Sequence, residues 1–184
     1  MTKVWLKQII KVLFILMLLS SILFAQKDEK VDIWEPLKFF LGAWEGKVNG
    51  KSGEGRIERK YQFILNGKFL QVKNKAIFEP QEKNPKGEIR EDWGLFSYDR
   101  NRKKFVLRQF HVEGFVNQYV LDSLSADGKT FVFITEDIEN IPAGWRAKVR
   151  YKILNEDEFV EVFELAGPGK DFAACLENRL RRKR

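Results

Sequence analysis

The sequence holds one cysteine, one histidine and five prolines in 184 residues. With Cys175 alone there is no internal disulfide, so stability has to come from apolar burial and backbone pairing. The one histidine, His111, is far from Cys175 in sequence and has no Ser or Cys nucleophile motif near it, so no triad can be assembled by spacing. Neither H-E-x-x-H nor C-x-x-C occurs, and there is no glycine-rich phosphate loop. Cys175 therefore reads as a small, inert hydrophobe, and the chain is not read as an enzyme.

Long apolar runs are nearly absent too, and the exception lies at the N-terminus. Lys3, Lys7 and Lys11 precede the apolar stretch Val12 to Phe24, and Ala25 offers a small residue for cleavage. Residues 1–25 are read as a secretory signal peptide, with an uncleaved membrane anchor as the alternative. Residues 26–32 are charged and read as a linker. The expected location is secreted or periplasmic, and membrane contact is expected only through the N-terminal segment.

A basic body is also missing. The formal charge is +7, but three lysines belong to the N-terminal segment and five basic groups (Arg179, Arg181, Arg182, Lys183 and Arg184) end the chain. The remainder carries about –1, which removes the broad basic face that nucleic-acid binding needs. Residues 179–184 are read as a basic C-terminal tail.

What the chain does have is alternation. Apolar residues at 33, 34, 37, 40 and 41 have helical spacing, and Pro36 is tolerable in a first turn. From Trp44 onward the period is two. About ten strand-like runs follow, separated by turn residues such as Asn49-Gly50, Asn66-Gly67, Glu113-Gly114 and Asp127-Gly128. The last run, Phe172 to Leu180, reads as either a strand or a short helix. A β-sandwich also fits alternation, but short sequential turns and one opening helix favour a sheet closed on itself. The expected fold is all-β: an antiparallel up-and-down β-barrel of about ten strands over residues 33–178, opened by a short helix.

Leu41-Gly42-Ala43-Trp44-Glu45-Gly46, placed after that helix, resembles the G-x-W opening of the lipocalin-like (calycin) barrels. It resembles more closely the L-G-x-W-x-G opening of nitrobindin-like haem-binding barrels and their secreted bacterial relatives. Arg108 to Tyr119 also looks like that secreted group. The resemblance implies that Gly42 and Trp44 close one end of the barrel, and that an Arg near the C-terminus, here Arg179, stacks on the indole. It also implies haem held by a single His. Val48, however, stands where those barrels carry a further alternating glycine.

Polar residues on inward-facing positions are the candidate ligand contacts, because burying them without partners costs roughly 1–3 kcal/mol each. Gln109 and His111 continue the face of Phe105 and Leu107. Asn117 lies between Phe115 and Tyr119, and Glu161 between Phe159 and Phe163. Arg59 shares a face with Tyr61 and Phe63, and Tyr151 sits on the face of Trp145, Ala147 and Val149. His111 would serve as a metal ligand only if haem binds; a polar contact to another ligand and a purely structural role are the other readings. Arg59 with Tyr61 has the residue types of a fatty-acid carboxylate clamp, against the simpler reading of a solvated Arg at the rim. The expected function is an exported barrel, monomeric or dimeric, binding a small hydrophobic or amphipathic ligand, either haem or fatty-acid-like. The alternative is a structural or surface-interaction barrel with a filled core.

Overall fold

The computed structural model describes residues 32–184, of which Trp34–Arg184 form one compact unit. The signal peptide and nearly all of the linker fall outside the described residues. The opening helix is a single 3-10 segment, Glu35–Phe40, with Pro36 in its first turn. Its three-residue repeat places Trp34, Leu37 and Phe40 on one side, and all three are buried.

Ten strands follow: β1 (Gly42–Gly50), β2 (Gly53–Ile64), β3 (Phe69–Phe78), β4 (Glu88–Asp99), β5 (Lys104–His111), β6 (Val116–Leu124), β7 (Thr130–Glu139), β8 (Arg146–Asn155), β9 (Glu158–Ala166) and β10 (Ala173–Arg182). Each pairs antiparallel with its neighbours in sequence, and β1 pairs with both β2 and β10, so the sheet closes. The turns are those the sequence marks. At Asn66-Gly67 both residues have positive φ, 56° and 73°, and Lys68 N–H donates to Leu65 O at 3.2 Å, as a primed hairpin turn requires.

The opening motif has a separate physical reason at each position. Gly42 has φ 107°, a left-handed conformation that lets the chain leave the helix and enter β1. Trp44 is buried across the end of the barrel, and its Nε1–H donates to Phe40 O at 2.6 Å. Gly46 faces β10 so closely that a Cβ there would lie 1.9 Å from the Arg179 carbonyl oxygen. Aromatic rings fill this end. Phe159 lies 4.8 Å from Trp44 between centroids, and Phe40 touches Tyr61, Phe131 and Tyr151 at 5.5–5.7 Å.

Three sequence expectations change. The residue over Trp44 is Arg182, with its guanidinium carbon 4.2 Å from the ring centroid. Arg179 lies three residues earlier on the opposite, outer face of the strand, where its Nε donates to Glu158 at 2.8 Å; a strand's alternation sends odd and even positions to opposite sides. Residues 179–182 are not a tail, because they complete β10 against β1, with Trp44 opposite Arg182. The ambiguous last run is therefore a strand. Trp145 falls in the loop before β8 and is 38% exposed, so it does not share the inner face of Ala147 and Val149.

Arg182 also donates to Leu41 O at 2.8 Å and Phe39 O at 3.0 Å, tying the helix exit to the last strand. Arg182→Ala should lower stability by about 1–3 kcal/mol, the loss of a partly desolvated cation–π contact and two hydrogen bonds. The measurement is a fall in the urea midpoint at unchanged slope. Arg179→Ala, on the outer face, should shift that midpoint less.

Candidate functional site

The helix and the β2–β3, β4–β5, β6–β7 and β8–β9 turns lie at the Trp44 end. The other end, carrying the β1–β2, β3–β4, β5–β6, β7–β8 and β9–β10 turns, is open onto an interior cavity of about 240 Å³. Its upper wall is apolar, with Ile57, Phe78, Phe115, Phe163 and Leu176. Its floor is polar.

The floor arises from strand register. Arg59 on β2 is opposite Asn74 on β3, Asn74 is opposite Asp92 on β4, and Asp92 is opposite His111 on β5. Beyond β1, Glu161 on β9 is opposite Asn178 on β10 and Tyr151 on β8. All carry inward-facing positions, so the side chains meet.

Arg59 and Glu161 form a bidentate ion pair across the interior, with one of the two contacts, Nη2 to Oε1, at 3.0 Å. Both side chains are buried, at 4% and 9% exposure. Arg59 also donates from Nε to Asn74 Oδ1 at 3.0 Å and from Nη1 to the Tyr61 hydroxyl at 3.3 Å. Asn178 Nδ2 donates to Glu161 Oε1 at 2.7 Å. Next to this network, Asp92 accepts from Asn74 Nδ2 at 2.8 Å and from Gln109 Nε2 at 2.7 Å. His111 stacks on Phe115 with centroids 4.0 Å apart. Its Nε2 lies 3.2 Å from Asn117 Nδ2, which also donates to the Tyr119 hydroxyl at 2.9 Å.

These surroundings set protonation. Burial alone would pull Arg59 down, but Glu161 and Tyr61 carry its pKa well above the ordinary value. Burial alone would raise Glu161, but the Arg59 charge and hydrogen bonds from Arg59, Asn178 and Tyr151 hold it below the usual carboxylate value. Burial pushes Tyr61 up to about 12, against an opposing pull from Arg59. Burial and the Glu161 charge also raise Tyr119 and Tyr151. Burial lowers His111, against the charges of Asp92 and Glu113. A neutral ring protonated on Nδ1 fits Nε2 accepting from Asn117.

Five of the eight sequence candidates line the cavity: Arg59, Gln109, His111, Tyr151 and Glu161. Asn117, Tyr119 and Tyr61 are buried and support it through hydrogen bonds without lining it. Arg59 is not at a solvated rim, since its whole residue is 6% exposed. On the outer wall Lys148 and Arg150 both pair with Glu164, at 2.9 and 3.0 Å.

Sequence reasoning missed Asn74, Asp92 and Asn178. Asn74 interrupts the inward series Leu70, Val72, Ala76 and Phe78, which was a usable signal. Asp92 has inward phase but adjoins Glu91, so the pair reads as ordinary charge. Asn178 lies in the run whose helix or strand state was undecided.

No family model matches the chain, and neither does any curated protein. Among solved structures, the chain is similar to Rv2717c from M. tuberculosis, with TM-score 0.65 and 19% identity, covering 84% of this chain and 99% of that one. It is similar also to the S-type phycobiliprotein lyase CPES from Guillardia theta, with TM-score 0.54 and 13% identity, covering 84% of this chain and 94% of that one. At such identities the likeness is one of fold, a closed antiparallel β-barrel.

Two measurements test the interior network. Removing the Glu161 charge leaves Arg59 buried without its partner, so Glu161→Gln should destabilise at neutral pH by about 3–5 kcal/mol. Because the folded pKa of Glu161 lies below its reference value of 4.5, its contribution is full above that value and fades as pH falls through the folded pKa. The acid limb of the stability profile should flatten in Glu161→Gln. Tyr61 acts at the other extreme, where its contribution is full below 10.0 and fades as pH rises through about 12. Ultraviolet titration should therefore show Tyr61, Tyr119 and Tyr151, three of the four tyrosines, ionising only as the barrel unfolds.

Proposed function

We propose that this protein is an exported barrel that binds a small amphipathic ligand in its open end. One observation carries the reading: the cavity of about 240 Å³ joins an apolar wall to a polar floor of charged and amide side chains. A ligand would enter with its polar head toward Asp92 and Gln109 and leave its apolar part against Phe78, Phe115 and Phe163. A polar floor under apolar walls is the usual composition of a small-molecule site, in which a few placed polar groups fix orientation. Export is inferred from the N-terminal sequence.

The two finer ligand readings have different support. For haem, His111 is the one imidazole available, and it lines the cavity. However, its Nε2 faces Asn117 and its ring face is covered by Phe115. The cavity also falls below the roughly 300–1,000 Å³ of sites for drug-sized ligands, so the residues present do not fit a macrocycle. For a fatty acid, Arg59 and Tyr61 are adjacent as a clamp would need, but Glu161 already neutralises Arg59. A second carboxylate there would have to displace a buried one. The alternative of a filled barrel describes the Trp44 end, where Phe159 packs against both Trp44 and Phe40; the open end is what favours binding.

Mass spectrometry of the protein purified in native form and then denatured should release a stoichiometric small molecule. Finding none, together with no change in unfolding temperature across a panel of amphipathic compounds, would select the filled-barrel reading. Adding hemin should produce no shifted Soret band; a band that disappears in His111→Ala would reverse the reading against haem.

A further inference from the structure

The cations around the cavity are already engaged, with one exception at the rim. Arg59 is bound to Glu161, Asn74 and Tyr61. Arg90 is held by Glu88 at 2.7 Å and donates to Ser52 at 2.9 Å. Lys51 lies in the β1–β2 turn, at the mouth. Among the anions, Glu161 is matched by Arg59, and Glu113 sits in the β5–β6 turn.

Asp92 is different. It lines the cavity and is half-buried, and both its oxygens are fixed by neutral amides from Asn74 and Gln109. Among the described residues it makes no ion pair. Two amides orient a carboxylate without cancelling its charge, and each oxygen keeps a further acceptor position. His111, its partner across the strands, has its Nε2 engaged with Asn117 and its ring stacked on Phe115.

A second, independent observation points the same way. Asn178 is 1% exposed and lines the cavity, and its Oδ1 has no hydrogen-bond partner. A buried amide oxygen left unpaired is unfavourable, and a donor arriving with a ligand would relieve it. The unused capacity of the floor is thus acceptor capacity with one uncompensated negative charge.

We infer that the polar head of the ligand is a cation bearing N–H donors, an ammonium or amidinium group, received by the Asp92 carboxylate. The inference rests on reading the open end as a ligand site and names the chemistry of its head. Gln109 and Asn74 also act as positioning residues for Asp92, because each donates to one of its oxygens. A charge-assisted hydrogen bond in a partly desolvated cavity favours the cation over an isosteric anion.

The test uses three probes of equal chain length on the full protein, by calorimetry at neutral pH: hexylamine, hexanoate and hexanol. Hexylamine should bind at least tenfold more tightly than either of the others. Asp92→Asn should weaken hexylamine at least tenfold and leave hexanol unchanged, with circular dichroism confirming the fold. The wild-type comparison alone keeps the test decisive if that variant does not fold. Hexanoate binding as tightly as hexylamine would overturn the cationic head and leave a ligand site standing. Unchanged hexylamine affinity in folded Asp92→Asn would overturn the role of Asp92. No binding of any probe, with no molecule released on denaturation, would overturn the ligand site itself.

Discussion

The interior of the barrel is divided by one interaction, the buried ion pair between Arg59 on β2 and Glu161 on β9. Two charges taken out of water must find each other and satisfy their remaining donors and acceptors, or the fold loses several kcal/mol. Here Asn74, Tyr61 and Asn178 complete the shell. The pair therefore acts as a cross-brace that spans β1 and β10 to join β2 to β9. On one side of it, rings pack around Trp44; on the other, the interior is open. Such a pair is a weak source of net stability compared with apolar packing of the same volume.

Register explains how both halves follow from one pattern. Arg182, Trp44, Arg59, Asn74, Asp92 and His111 are successive partners across β10, β1, β2, β3, β4 and β5. Strands in a closed barrel are tilted and staggered, so this line of directly paired residues starts at the closed end and finishes at the mouth. A shift of one residue in any of these pairings would turn the next strand's inward residues outward. Trp44 at the bottom and His111 at the top are thus held to the same ladder. Gly46, whose lack of a side chain lets the β10 backbone approach, keeps that ladder closed.

Much of this was legible in the sequence, and the reason differs by feature. Period-two alternation is a local property, so it marked about ten strands and the turns between them. The inward phase of Arg59, Gln109, His111, Tyr151 and Glu161 came with it. Which of these touch one another depends on pairing and stagger across the barrel, which no local pattern records. The Arg59–Glu161 pair, separated by 102 positions, is of that kind. So is the placement of Arg182 over Trp44: the resemblance supplies an arginine near the end of the chain, but only the phase of β10 chooses between Arg179 and Arg182. Asp92 was hidden for a third reason. Beside Glu91, in a chain rich in charge, an inward carboxylate looks like any other.

The likeness to other β-barrels has its own physical limit. The features that carry the opening resemblance, Gly42, Trp44 and Gly46, all serve closure at one end. Closure is a geometric demand that every barrel of this kind must meet, so its residues are informative about fold. The open end is lined by inward positions that closure does not constrain. Replacing Asp92 or Asn178 by an apolar residue would leave the ladder pairing and the aromatic plug untouched, and the fold comparison would hardly change. Chemistry at the mouth has to be read from the charges and unpaired acceptors of this chain's own side chains, and those present a carboxylate without a counter-charge.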